Sequence, residues 1–148
     1  MAENRVVWGK KVPQVYKKLD EVDQILAEHL DTTVLELIKL RSSVLNGCAY
    51  CVDLHTRRAL TEGESQQRLF LVPTWYEAGE VFTPRERAAF ALTDEMTEMG
   101  EHGVSDATYD AAAGHFDETE LAALMSAIAM INLYNRLAVT GRLHVKKR

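Results

Sequence analysis

Apolar residues recur at helical spacing along nearly the whole chain. Tyr16, Leu19, Val22 and Leu26 form one face of a first helix, predicted over residues 13–29. Pro13 suits its first position, where no N–H is needed. A second helix starts at Asp31 or Thr32, both good N-caps, and carries Leu35, Ile38, Val44 and Leu45. Asn46-Gly47 ends it, because both residues tolerate the left-handed conformation of a helix C-cap. A third helix is predicted over residues 48–62, closed by Gly63, and a short one over 65–72, before Pro73. Residues 75–79 read as a helical turn or a loop. Thr83, Pro84 and Glu86 make a capping box that opens a helix to about residue 99. Ser105 caps a helix to about 115, and Asp117 with Glu120 opens a last one to 139.

That last helix has almost no polar face between Leu121 and Ile131, so it is expected to be buried on several sides. It is a core helix, or a core helix that also joins subunits. Asn132 and Arg136 stand four apart on it, and a buried arginine there would need a carboxylate partner, in an interhelix or an intersubunit pair. Alternating apolar runs of the kind strands need are absent. The pattern predicts an all-α domain spanning 1–148, a bundle of about six to seven helices with short connections.

Composition narrows the function. The chain of 148 residues carries 22 acidic and 17 basic side chains, and the middle stretch 59–118 is the most acidic. A basic stripe with interleaved aromatics is missing, which argues against nucleic acid. No run approaches the length of a transmembrane helix, and the first residues lack a signal-peptide core, so a cytoplasmic protein is expected. The basic end, Lys146-Lys147-Arg148, reads as a solvated tail.

The two cysteines, Cys48 and Cys51, sit three apart. In a reducing compartment such a pair is metal-binding or redox-active. Zinc needs four ligands, and His29, His102, His115 and His144 are scattered, so no metal is predicted. At a helix start, Cys48 meets the positive end of the dipole, which favours a thiolate. Cys51 follows one turn on, within disulfide reach, and His55 lies four residues further on the same face. Counted from the Asn46-Gly47 turn, Glu36 lies about 16 Å down one helix and His55 about 12 Å down the other. The levels nearly match, which permits a relay from Glu36 through His55 to Cys51. Tyr50, between the cysteines, either packs or lines the site.

Glu36, Cys48-x-x-Cys51-x-x-x-His55 and the surrounding Asn-Gly-Cys-Ala-Tyr-Cys resemble the alkyl hydroperoxidase D (AhpD) family of the carboxymuconolactone decarboxylase superfamily. Trp75-Tyr76-Glu77-Ala78, the helix start at 82–89 and the stretch 131–139 resemble its single-domain branch, over about residues 12–141 in all. The resemblance implies an all-α homo-oligomer, trimer or hexamer, and a peroxidase acting on hydroperoxides with no cofactor. It implies that Cys51 attacks the peroxide and Cys48 resolves the sulfenic acid. It further implies that Glu36 and His55 relay protons, and that an external dithiol such as a lipoyl group or thioredoxin restores the thiols. Some members carry a second histidine where Tyr50 stands. A redox-sensing protein and, more remotely, a lactone decarboxylase are the alternatives.

Overall fold

The computed structural model describes Glu3 and residues 5–148, and among these every regular element is helical. The order is α1 (Trp8–Lys11), α2 (Pro13–Ala27), α3 (Thr32–Leu45), α4 (Ala49–Thr61) and α5 (Gln66–Leu71). Two 3-10 turns follow (Val72–Glu77 and Gly79–Val81), then α6 (Pro84–Thr97), α7 (Asp106–Ala113) and α8 (Glu118–Gly141). The predicted all-α class holds, with one addition. The four-residue α1 is too short to show a period, and the stretch read as a turn or loop is 3-10 helix.

The caps follow the sequence. Asp31 and Ser105 each accept the N–H three residues on. Thr83 with Glu86, and Asp117 with Glu120, form reciprocal capping boxes. The α3–α4 turn is a Schellman motif: Cys48 N–H bonds to the Ser43 carbonyl and Gly47 N–H to that of Val44. Only Gly47 is left-handed, at φ 64°. Asn46 stays helical, and its side chain instead reaches Asn132 and Asn135 of α8, both at 2.9 Å.

The most enclosed helix is α3 rather than α8. Every residue from Val34 to Ser43 is buried. One side of α3 (Leu35, Ile38) packs with α8, α6 and α2 through Leu124, Ile128, Leu92 and Leu26. The other (Leu37, Leu40) packs with Ala59 of α4, Trp75 and Phe90 of α6. Fully burying each such side chain contributes about 1.5–3 kcal/mol. Three charges lie among these apolar residues, and each is paired with a different element. Glu36 meets His55 of α4 at 2.8 Å, Lys39 meets Asp23 of α2 at 2.7 Å, and Arg41 meets Asp94 of α6 at 2.6 Å.

By length and mean hydropathy α8 would suffice to cross a bilayer. It packs along α3 and α6 and buries Leu121, Leu124, Ile128, Ile131 and Asn135. Ala122, Met125 and Ala129 on its other side are exposed. Within the chain Arg136 is exposed and bonds to the Asn132 carbonyl and side chain, so an interhelix pair with a carboxylate is not formed among the described residues. The helix passes residue 139 and ends at Arg142, which takes the left-handed cap at φ 54°. The chain end is not simply solvated, because Arg148 pairs with Asp53 at 2.6 Å.

Candidate active site

The α3–α4 hairpin places the four predicted residues. Cys48 is the N-cap of α4, and its sulfur accepts the Cys51 N–H at 3.3 Å. This is the cradle of unpaired N–H groups that favours a negative sulfur. Cys48 and Cys51 are joined as a disulfide with Cα atoms 5.3 Å apart. Both are buried, at 2% and 4% exposure, against Ala138 and Leu143.

One turn along α4, His55 is 5% exposed and its Nδ1 lies 2.8 Å from Glu36 Oε2. A carboxylate only accepts, so Nδ1 carries the proton and the Nε2 lone pair is left free. Burial pushes the His55 pKa below the usual histidine value, with the Lys39 and Arg58 charges adding to that, against the hydrogen bond and charge of Glu36. The imidazole is therefore neutral at neutral pH and able to take up a proton.

Cys51, His55, Leu54 and Tyr50 of α4 line a cavity of about 280 Å³. Its other walls are Lys39 of α3, Tyr16 and Asp23 of α2, Trp8 of α1, and Ile131 and Tyr134 of α8. Cys48 does not line it. Tyr50 is 39% exposed and belongs to the wall, so it is more than packing. The Tyr134 phenol is pushed up to about 12, first by burial and then by the nearby Asp23, and stays protonated. Glu36 faces the other way, into a second hollow with Thr32, Arg57, Arg58 and Thr61. The Glu36–His55 pair thus bridges two openings.

The sequence reading missed Lys39, Asp23, Trp8 and Tyr134 as parts of this site. For Lys39 a signal existed: a lone cation within Leu37-Ile38-Lys39-Leu40 sits where both helix faces are apolar. Among the described residues no group of three or more His, Cys, Asp or Glu side chains could hold a metal ion.

A helical bundle that carries a buried dithiol at the start of one helix and a His–Glu pair one turn below defines the class. The carboxymuconolactone decarboxylase family pattern matches residues 12–95, and the chain belongs to that family, as an AhpD-like member. It is 32% identical over 136 residues to the uncharacterized protein YdfG of Bacillus subtilis, covering 91% of this chain and 92% of that one. It is 29% identical over 107 residues to the uncharacterized YnjA of Escherichia coli, covering 72% of this chain and 58% of that one. Among solved structures it is similar to ATU0492 of Agrobacterium tumefaciens, a protein of unknown function and candidate antioxidant defence protein AhpD. That match has a TM-score of 0.93 and 32% identity over 99% of this chain and 100% of the other. The debrominase Bmp8 shares the fold at a TM-score of 0.79 and 17% identity, over 93% of this chain and 74% of that one.

Proposed function

We propose that the protein is a thiol-dependent peroxidase that reduces organic hydroperoxides. The observation that carries the reading is that Cys51 and His55 line one cavity while Cys48, outside its lining, is at bonding distance from Cys51.

The dipole favours a thiolate on Cys48, but Cys51 is the sulfur that lines the cavity, so Cys51 is the attacking group. His55 Nε2 takes the Cys51 proton, and Glu36 stabilises the imidazolium through Nδ1–H. The thiolate attacks the outer peroxide oxygen, and the O–O bond breaks. Cys51 becomes a sulfenic acid, and the alkoxide leaves as alcohol with the proton returned by His55. Cys48 then displaces water from the sulfenic acid and forms the disulfide. An external dithiol reduces it by exchange and leaves as its own disulfide. Because both cysteines are nearly inaccessible, a slender donor such as a lipoyl arm fits better than the flat face of a protein such as thioredoxin. A cytoplasmic homotrimer or homohexamer is part of the same proposal.

The test is steady-state turnover of alkyl hydroperoxides with lipoyl, thioredoxin and glutaredoxin donors. Sustained turnover is expected, abolished in Cys51→Ser. In Cys48→Ser a sulfenic acid should persist on Cys51 and be captured by dimedone. One disulfide per chain without turnover would replace this reading with a redox sensor.

A further inference from the structure

The segment ahead of α2 is not needed by the relay, yet it is fastened over the site. Arg5 donates its N–H to the Gly141 carbonyl at 3.0 Å and its Nη1 to the Thr140 carbonyl at 3.4 Å. Gly141 is what lets this strap lie so close. A Cβ there would stand 2.9 Å from the Val6 carbonyl oxygen. The strap continues into α1, whose Trp8 ring lies 5.5 Å from that of Tyr16 and 6.2 Å from that of Tyr134. All three rings face the cavity that holds Cys51 and His55. Residues 5–11 precede the part of the chain that matches the family pattern, 12–95.

Peroxide cleavage needs a thiolate, a base and a leaving oxygen, none of which calls for three aromatic rings. Hydrogen peroxide has no carbon to place against them. A substrate with a ring does, because stacked or edge-on aromatic pairs are favourable beyond the area they bury. The space is sufficient: a cavity of about 150 Å³ accepts a benzene ring, and this one holds about 280 Å³. The Lys39 charge in the wall is matched by Asp23.

We infer that Trp8, held on the strap of residues 5–11, is a specificity residue that selects aryl-bearing hydroperoxides over hydrogen peroxide by packing against the substrate's ring. The reaction rests on the peroxidase reading, whereas the binding does not.

The test compares cumene hydroperoxide with hydrogen peroxide in the wild type, Trp8→Ala, Trp8→Phe and Gly141→Ala. Trp8→Ala should lose about tenfold in kcat/KM for cumene hydroperoxide, carried by KM, and less than about twofold for hydrogen peroxide. Trp8→Phe should recover most of the loss. Gly141→Ala, which displaces the strap without altering the pocket's side chains, should reproduce it. Equal losses for both oxidants, or an unchanged ratio in Gly141→Ala, would overturn the inference. Binding is read separately by titrating the unreactive product, cumyl alcohol, into Cys48→Ser/Cys51→Ser with and without Trp8→Ala. Saturable binding that weakens about tenfold without Trp8 supports the inference even if neither hydroperoxide turns over, which would sink only the peroxidase reading. Binding that is absent, or indifferent to Trp8, overturns it.

Discussion

Replacing Glu36 with glutamine separates the relay from the fold. The amide keeps the shape of the carboxylate, and its oxygen still accepts the His55 Nδ1–H that now lies 2.8 Å from Oε2. What disappears is the charge opposite the imidazolium. A hydrogen bond to a charged group contributes about 1.5–3 kcal/mol, and one between neutral groups about 0.5–1.5. The protonated histidine therefore loses about 1–1.5 kcal/mol of support, or roughly tenfold in the rate of a step that forms it. The direction of the pH shift follows from the same balance. Both contributions of Glu36 raise the His55 pKa, and with only a neutral hydrogen bond left the lowering by burial and by the cations Lys39 and Arg58 is less opposed. The acid limb of the rate should thus move to lower pH while the plateau falls. The assay is single-turnover oxidation of the reduced protein by cumene hydroperoxide, quenched by alkylation and read as disulfide by mass spectrometry across pH 4–9. Thermal melting provides the control, with Tm expected within a few degrees of wild type. Glu36→Ala would behave differently, because a buried N–H left without an acceptor costs about 1–3 kcal/mol. An unchanged rate with an unmoved pH profile would refute the relay. So would a rate that falls only in proportion to the folded fraction.

Two further outcomes follow from the buried groups. The unfolded chain takes up a proton on His55 near pH 6.5 that the folded site resists, so the stability from neutral His55 is complete above about 6.5 and lost as pH falls below it. Urea midpoints measured from pH 7 to pH 5 should decline less steeply in His55→Gln than in the wild type. Lys39→Met strands the Asp23 carboxylate and should cost about 3 kcal/mol, the low end for buried pairs because Asp23 keeps some solvent. Lys39→Met/Asp23→Leu should recover most of that loss in the same denaturation.

The legible part of this protein is the part that is local. Glu36, the Asn46-Gly47 turn, Cys48, Cys51 and His55 fall within twenty residues. Helical rise, a C-cap signal and the i,i+4 rule permit them to meet, and the family resemblance singles out Glu36 among them. Lys39 and Arg41 were not read as buried, because their partners lie 16 and 53 residues away, on helices whose packing angles no local pattern encodes. Trp8 escaped for the opposite reason: its helix has four residues, too few for a period. Arg136 is exposed within one chain, on the side of α8 that carries Met125 and Ala129, so of the two pairs expected there the interhelix one is not formed among the described residues.

The three ion pairs of α3 explain why a central helix tolerates charge at all. A buried pair is often no more stabilising than apolar side chains of similar size, so stability alone does not account for them. Their arrangement does. Glu36, Lys39 and Arg41 point to α4, α2 and α6 respectively, in directions that one rotation of α3 satisfies together. An apolar helix among apolar neighbours can turn by part of a residue at little cost, since one leucine contact replaces another. Here such a turn would break two salt bridges as it moved Glu36 off the Nδ1 of His55. The neighbouring polar contacts act in the same sense, with Ser42 bonded to Thr97 and Asn135, and Asn46 to Asn132. The precision that the proposed proton relay needs is therefore supplied from outside the Glu36–His55 pair, by charges on the helix that carries Glu36.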